Sequence, residues 1–250
     1  MNRQVFIYLT LAAITIAAVF TSCQKDDNVK VKLLETVTYP YGSYDKFKYD
    51  IQNRLTIYSR YDSSGELLET RTLTYSGNDL ANSVFNSAFL YEYTKSGNII
   101  TSIINSENTH MWDLNSDRQL VKYVGKIVGN SQIIDYQYQN GNIVKYTYAY
   151  TYAEGGTFET FNEYKYDNEK SPMYNCTTPQ WYLIYSFKDI STTNNMTEEK
   201  WIVFPNTGGG PYEDVYEYIY EYDKDGYPTK RTKTDNNGSR EVTEYAYKVL

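Results

Sequence analysis

The sequence predicts an all-β protein: an antiparallel up-and-down meander of roughly 14–16 strands that closes or nearly closes into a barrel. Three observations support this prediction. A tyrosine-rich hairpin phrase recurs along the chain, aromatic and polar residues alternate within the strands, and one segment interrupts the pattern. So many short strands exceed what a flat open sheet accommodates without curling, so we expect closure or near-closure.

The recurring phrase is Tyr-x-Tyr or a close variant, followed by a polar residue and a turn. Complete copies occupy 47–55, 73–80, 91–99, 136–143 and 220–226, with partial copies at 164–167 and 245–247. Each copy predicts a β-hairpin, because alternation has a period of two and a Gly or Asn in the turn supplies a positive φ.

Alternation is clearest in two stretches, at 144–152 and 216–222. In the second, the tyrosines at 216, 218, 220 and 222 share a face opposite Glu217, Ile219 and Glu221. One aromatic face and one polar face indicate a sheet that packs on one side and meets water on the other. The chain has 30 Tyr against 9 Phe, which favours broad, half-buried sheet surfaces over a compact aliphatic core.

An insertion is predicted at 168–200. It contains Pro172, Pro179, Cys176 and a dense apolar cluster at 181–187. We expect one or two short helices that plug or cap the barrel, because packing of the apolar cluster would order so long a segment.

Residues 1–22 are predicted to be a signal peptide, with Arg3 before an apolar run from Val5 to Phe20. The run is short for a membrane span and has no basic flank after it. A plain secretory signal is one interpretation. The junction at 21–23 instead resembles the lipobox of bacterial lipoproteins, with Phe20 in place of the usual Leu. The resemblance implies that Cys23 becomes an acylated N-terminus, so the membrane is a predicted partner.

Residues 23–30 are predicted to form a lipidated tether. Its start, Gln24, Lys25, Asp26 and Asp27, resembles the export tag that directs some lipoproteins of Gram-negative bacteria to the outer leaflet of the outer membrane. This implies an outer-membrane lipoprotein exposed at the cell surface. Residues 31–250 are predicted to form a single domain.

Composition argues against several functions. The net charge is −7 without a Lys/Arg cluster, which disfavours nucleic acid as a partner. Two cysteines and one histidine are too few for a thiolate–imidazole zinc site. The turns at 223–226 and 235–238 resemble calcium loops but lack the later ligand positions. No metal or other cofactor is predicted.

The chain is predicted to be non-enzymatic. A glycosidase needs two opposed carboxylates, but alternation places most strand glutamates on the wet face. These are Glu159, Glu163, Glu213, Glu217, Glu221 and Glu241. No Gly-x-Ser-x-Gly motif accompanies His110, so a hydrolase is a distant alternative. Charge on both strand faces, as at Lys145 and Glu217, also disfavours a barrel that spans lipid.

Trp112, Trp181 and Trp201 are candidate ligand-binding residues, because aromatic faces stack on sugar rings. The favoured alternative is that these rings pack the barrel interior and the insertion.

The Tyr-Asp-x-x-Gly hairpins resemble the YD repeats of Rhs-type and teneurin-type shells. Together with the lipoprotein tag, the 168–172 stretch and the Asn pair at 194–195, they resemble a family of bacterial surface lipoproteins of unknown function with a porin-like β-barrel fold. The repeat is weak at 105–130. The resemblance implies a fold and no activity. The predicted surface location, the surplus of aromatic residues and the absence of a catalytic constellation lead us to expect a surface protein that binds a glycan or another exogenous polymer. The alternative is a structural or accessory component of an outer-membrane protein assembly.

Overall fold

A computed structural model of the chain describes residues 31–105, 108–204 and 210–250, and these form seventeen strands and one α-helix. The predicted signal peptide and tether, with Cys23 and the export tag, lie outside the described residues. The strands are β1 (Lys32–Thr38), β2 (Tyr44–Tyr49), β3 (Leu55–Tyr61), β4 (Leu67–Ser76), β5 (Asp79–Phe85), β6 (Phe89–Glu92), β7 (Thr94–Ser96), β8 (Ile99–Asn105), β9 (Asn108–Leu114), β10 (Leu120–Ile127), β11 (Asn130–Gln139), β12 (Asn142–Thr151), β13 (Thr157–Lys170), β14 (Asn194–Phe204), β15 (Tyr212–Tyr222), β16 (Pro228–Thr234) and β17 (Arg240–Val249).

The strands form a nearly closed antiparallel barrel, which confirms the predicted fold class. Successive strands pair with each other from β1 to β6 and from β7 to β17, and β17 pairs with β1. The stretch between β5 and β8 is divided into two short strands, β6 and β7, at Tyr93. The amide of Tyr93 still donates to the carbonyl of Ala81 at 2.8 Å, so the interruption is local.

Because neighbouring strands are antiparallel, their connections alternate between the two ends of the barrel. The end at which β1 begins also carries the 50–54, 115–119 and 223–227 turns, and we call it the plug end. The opposite end carries the 39–43, 62–66, 152–156 and 235–239 turns, and we call it the open end.

The hairpin turns share one chemical device. In five of them an Asp or Asn carboxyl or amide oxygen accepts the backbone N–H groups two and four residues later, at 2.8–3.1 Å; these residues are Asp50, Asp62, Asn115, Asp223 and Asp235. The residue three positions after each has a φ of 63–88°. Asx bonding and a left-handed fourth residue are what this hairpin loop requires. The Tyr-Asp-x-x-Gly pattern therefore specifies a hairpin turn through local interactions.

The two faces of the barrel wall differ as the alternation predicts. Tyr146 and Tyr148 pack against the core cluster, while the six glutamates singled out above are exposed. Cross-strand ion pairs cover the outer wall, including Lys165–Glu198 at 2.8 Å and Lys200–Glu213 at 2.7 Å. The inner face is thus aromatic and the outer face is charged.

The insertion enters the barrel from the plug end. It was predicted at 168–200, but β13 continues to Lys170 and β14 begins at Asn194, because the two strands pair again beyond a register shift. The segment outside the sheet is 171–193, which we call the plug. The Asn pair at 194–195 forms the first residues of β14.

The plug contains one helix, α1 (Gln180–Ser191), with a non-helical backbone at Phe187 (φ −142°, ψ 39°). The ring of Phe187 contacts Phe47 on β2 at 5.7 Å, whereas Tyr185 contacts Tyr123 on β10 at 4.7 Å. Contacts on well-separated strands show that α1 lies inside the barrel, as predicted. No helix in the described part of the chain is long and apolar enough to cross a membrane.

Candidate functional site

The barrel interior between the plug and the open end contains two adjoining cavities of about 330 and 200 Å³. They share Tyr185 and Ser186 of α1, so we treat them as one space and call it the vestibule. The 185–189 stretch forms its floor, and inward-facing side chains of the strands form its wall. Its volume lies within the range of small-molecule sites.

One side of the larger cavity holds a buried, fully engaged carboxylate. Asp45 accepts hydrogen bonds from the hydroxyls of Tyr39 (2.8 Å) and Tyr58 (3.1 Å), and from Nε of Arg60 (3.0 Å). Burial, and then the charge of Asp45, raises the pKa of both tyrosines, so they stay protonated. The charges of Arg60 and Asp45 neutralise each other here.

Two other cations in the same cavity are differently placed. The Nζ of Lys188 lies over the rings of Tyr146 (4.4 Å) and Tyr164 (4.6 Å) and donates to the hydroxyl of Tyr164. Arg231 lies over Tyr218 at 5.3 Å, and its Nε is buried without a hydrogen-bond partner among the described residues. The vestibule therefore presents one ammonium group and one guanidinium group, each held mainly by aromatic rings.

The smaller cavity is more aromatic. Its wall includes Tyr91, Tyr93 and Trp112, with the Ser83 and Tyr93 hydroxyls 2.7 Å apart. Arg71 also reaches it and is paired with Glu69 at 2.6 Å. Flat rings beside hydroxyls and a guanidinium are groups that stack on and hydrogen-bond to sugars.

The structure brings together two of the three tryptophans that were predicted as candidate ligand-binding residues. Trp112 and Trp181 are buried, with ring centroids 5.1 Å apart at the contact between α1 and the wall. Trp201 is half-buried on β14 beside Tyr212 (5.9 Å). Trp112 lines the vestibule, whereas Trp181 lines a separate cleft of about 540 Å³ at the plug end. Their observed role is packing, and their role in ligand binding stays a prediction.

The carboxylates of the calcium-like turn at 223–226 are occupied from within the chain. Nζ of Lys32 lies 2.7 Å from Asp223 and 2.5 Å from Asp225. Across residues 31–105, 108–204 and 210–250, no group of three or more His, Cys, Asp or Glu side chains could hold a metal ion.

The open end also exposes apolar side chains on neighbouring strands and turns, which we call the apolar rim. They are Tyr41, Leu67, Leu68, Phe89, Leu90, Ile103, Ile127, Val128, Tyr152, Phe204 and Tyr212.

Sequence reasoning did not single out Lys188 or Arg231. Alternation in β16 opposite the tyrosine-rich β15 was an available signal for Arg231, which pairs with Tyr220 on the inner face. Lys188 carried no such signal, because its position depends on how the plug enters the barrel.

Comparison with known proteins identifies the fold and no activity. No protein-family model matches the chain, and no curated protein matches it. Solved structures similar to it include two porin-like proteins. A porin-like protein from Bacteroides uniformis is 14% identical with a TM-score of 0.54, covering 85% of this chain and 96% of its own. A porin-like protein from Bacteroides vulgatus is 15% identical with a TM-score of 0.44, covering 87% and 100%. The likeness to the Bacteroides uniformis protein shows that the chain has the fold of a porin-like β-barrel.

Proposed function

We propose that this protein is a non-enzymatic binding protein of the bacterial cell surface, and that its vestibule takes a glycan or another exogenous polymer. The observation that supports this most directly is the vestibule itself, a concave space that combines aromatic rings with hydroxyl and charged groups. Such a combination is typical of sites that fix a polar ligand by a few hydrogen bonds.

The direction in which the vestibule faces agrees with this role. β1 begins at the plug end, so a lipid anchor at Cys23 would lie on that side. A tether from residue 23 to residue 31 spans at most about 30 Å. The open end would then point away from the membrane, towards an extracellular ligand. The charged outer wall suits a barrel held above the membrane rather than within it.

The engagement of two interior carboxylates supports a non-enzymatic role, because it leaves Asp189 as the exposed carboxylate of the larger cavity. Asp45 is bound as described above, and Glu199 accepts from Asn162 (2.7 Å) and from the hydroxyl of Tyr218 (2.8 Å). A glycosidase would need two carboxylates available to the substrate across the scissile bond.

Affinity electrophoresis through gels cast with a panel of polysaccharides tests the proposal. Tyr91→Ala changes the vestibule wall, and Tyr44→Ala is the matched control, because Tyr44 stacks on Tyr61 away from the vestibule lining. We expect one glycan to retard the wild-type protein and Tyr44→Ala, with the retardation lost in folded Tyr91→Ala. No retardation by any polysaccharide would contradict glycan binding.

The apolar rim favours a second candidate, a structural or accessory component of an outer-membrane protein assembly, because large exposed apolar patches mark protein contacts. A photo-crosslinking residue at Phe89 on the rim would then capture an outer-membrane protein on intact cells. The same residue at Ile51, which is 93% exposed at the plug end, would not. Equal crosslinking from both positions would contradict a rim-specific partner.

A further inference from the structure

We propose that Lys188 and Arg231 form a binding site for an anionic group, a carboxylate or sulfate, and that the vestibule is therefore selective for acidic glycans. This inference rests on the proposed function and specifies its ligand class. The two side chains come from different parts of the chain, α1 and β16, and line the same cavity of about 330 Å³.

Four other cations of the barrel interior and plug end have a carboxylate partner at ordinary ion-pair distance: Arg60–Asp45 at 3.0 Å, Arg71–Glu69 at 2.6 Å, Arg54–Asp50 at 2.7 Å and Lys32–Asp223 at 2.7 Å. Lys170 at the plug end instead lies over the ring of Tyr227 at 4.5 Å, and its Nζ donates to the carbonyl of Asp225 at 2.9 Å. Lys188 and Arg231 also lie over aromatic rings, and these two cations line one cavity.

Arg231 is the sharper case. Among the described residues, no carboxylate oxygen lies within 4.0 Å of its nitrogens, and its hydrogen bonds are to hydroxyl groups, a 3.4 Å contact to Oγ1 of Thr243 and one to Tyr220. Its Nε is buried and without a partner in that same part of the chain. Asp189 acts on this guanidinium electrostatically without forming an ion pair with it among the described residues, so a bidentate carboxylate or sulfate is the ligand that would satisfy the buried Nε.

Lys188 adds a second positive charge from the floor. Its only carboxylate neighbour within 4.0 Å among the described residues is the adjacent Asp189, at 3.9 Å, and its Nζ lies over the rings of Tyr146 and Tyr164. Rings that hold a cation by π contact leave its remaining N–H groups free for an incoming oxygen.

Two carboxylates also line this cavity. Asp45 is neutralised by Arg60, but Asp189, with a side chain 56% exposed, opposes an anionic ligand. The net charge of the protein does so too, although charges beyond about 8 Å are screened at physiological salt.

The cavity therefore predicts affinity changes in opposite directions. Asp189→Asn should strengthen the binding of an acidic glycan, while loss of Lys188 or Arg231 should weaken it.

The test is calorimetric titration of the full chain, purified in detergent, with acidic oligosaccharides and their neutral counterparts. The probes are oligogalacturonate, oligoalginate, heparosan fragments and chondroitin sulfate fragments. Each is compared with its carboxyl-reduced or desulfated form. Acetate and inorganic sulfate serve as free anions without a sugar.

The variants are Lys188→Met and Arg231→Met, which remove charge but keep an unbranched side chain, and Arg231→Lys, which keeps charge. Lys165→Met is the matched control, because Lys165 is 70% exposed on the outer wall and pairs with Glu198. All variants are compared by thermal unfolding, so that a folding defect is recognised.

We expect at least one acidic oligosaccharide to bind tenfold or more tightly than its neutral form. Folded Lys188→Met and Arg231→Met should each weaken its binding by about tenfold to a hundredfold, and Arg231→Lys by less. Lys165→Met should bind as wild type does.

Equal affinity for acidic and neutral forms, unchanged by the variants, would overturn this inference and leave glycan binding intact. Tight binding of acetate or sulfate alone, lost in the same variants, would establish an anion site but overturn its assignment to a glycan. If no acidic oligosaccharide or free anion binds, the inference fails, and the polysaccharide gels then decide separately whether any glycan is bound. If Met at both positions unfolds the protein, Arg231→Lys and Asp189→Asn still test the sign of the effect.

Discussion

Four tyrosines each pack a ring against the plug-filled core, and the hydroxyl of each donates a hydrogen bond of 2.6–2.8 Å to a backbone carbonyl of the preceding strand. They are Tyr49, Tyr75, Tyr166 and Tyr247. The accepting residues, Leu34, Leu55, Ile143 and Pro228, lie beside register shifts, where the regular ladder is interrupted. Each tyrosine therefore fills the lumen with its ring and satisfies a backbone carbonyl beside an interruption of the strand ladder with its hydroxyl. Phenylalanine, which has no hydroxyl, could do only the first.

Asp45 provides a prediction at the same scale. Asp45→Asn should lower the free energy of unfolding by about 3 kcal/mol, because it weakens three hydrogen bonds and leaves Arg60 without its anion. Asp135→Asn is the control: its side chain is 51% exposed and 3.7 Å from Lys122, so the change should stay below about 0.5 kcal/mol. Denaturant titration of both variants measures the difference, and equal losses would contradict a special role for Asp45.

His110 predicts a dependence of stability on pH. Burial lowers its pKa below the ordinary 6.5, and its Nδ1 lies 2.6 Å from the hydroxyl of Tyr123. Below pH 6.5 the unfolded chain therefore binds a proton that the folded chain does not. Stability should fall with decreasing pH by up to about 1.4 kcal/mol per unit, until the folded-state pKa is reached.

His110→Gln should remove this slope, because His110 is the only histidine of the chain. The check is the free energy of unfolding of both proteins between about pH 5 and pH 7. Parallel curves for wild type and variant would show that other groups cause the dependence.

At the scale of elements, the plug is fastened to the barrel by polar bonds as well as by apolar packing. Oγ1 of Thr178 accepts the amide of Leu55 (2.7 Å) and lies 2.9 Å from the hydroxyl of Tyr75. Asn175 donates to the carbonyl of Lys32 at 2.9 Å. These bonds fix where the plug enters, and α1 then extends from that point into the lumen.

Thr178→Val should therefore cost about 2 kcal/mol of stability, since it leaves the buried Leu55 amide unsatisfied while keeping the volume of the side chain. Its neighbour Thr177 is exposed and bonds to the carbonyl of Gln52, so Thr177→Val should cost less than about 1 kcal/mol. Hydrogen exchange of α1 amides should be faster in Thr178→Val alone. Unchanged exchange there would show that apolar packing holds the plug without this contact.

At the scale of the whole molecule, the two ends of the barrel differ. The plug and the start of β1 lie at one end, and the vestibule and apolar rim lie at the other. A lipid anchor at Cys23 would present the open end to the exterior. Tyr41 (92% exposed, open end) and Ile51 (93% exposed, plug end) make a matched pair for testing this orientation.

Cysteine introduced at position 41 should react with a membrane-impermeant maleimide on intact cells, and faster than cysteine at position 51, which faces the anchor side. Replacement of Cys23 by Ala should release the protein from the membrane fraction. Burial raises the pKa of the Cys176 thiol, so the unmodified chain should label slowly and serve as background. Equal labelling at both positions would contradict the proposed orientation, and no labelling would contradict surface exposure.

The strands, the turn chemistry and the two faces of the wall follow from local features of the sequence. Period-two alternation and an Asp or Asn three residues before a left-handed residue specify a hairpin without reference to the rest of the chain. Long-range packing was needed to establish that β17 pairs with β1, that the plug begins after Lys170, and that Trp112 and Trp181 meet in the core.

The convergence of Lys188 and Arg231 on one cavity belongs to the second group. Their chemistry was visible in the sequence, but a pairing across 43 positions depends on barrel closure and on the depth to which α1 enters. Both are set by the summed packing of residues from nearly every strand, which no local pattern encodes. The sequence thus supplied a barrel with an aromatic interior, and its tertiary packing created a vestibule with two cations in it.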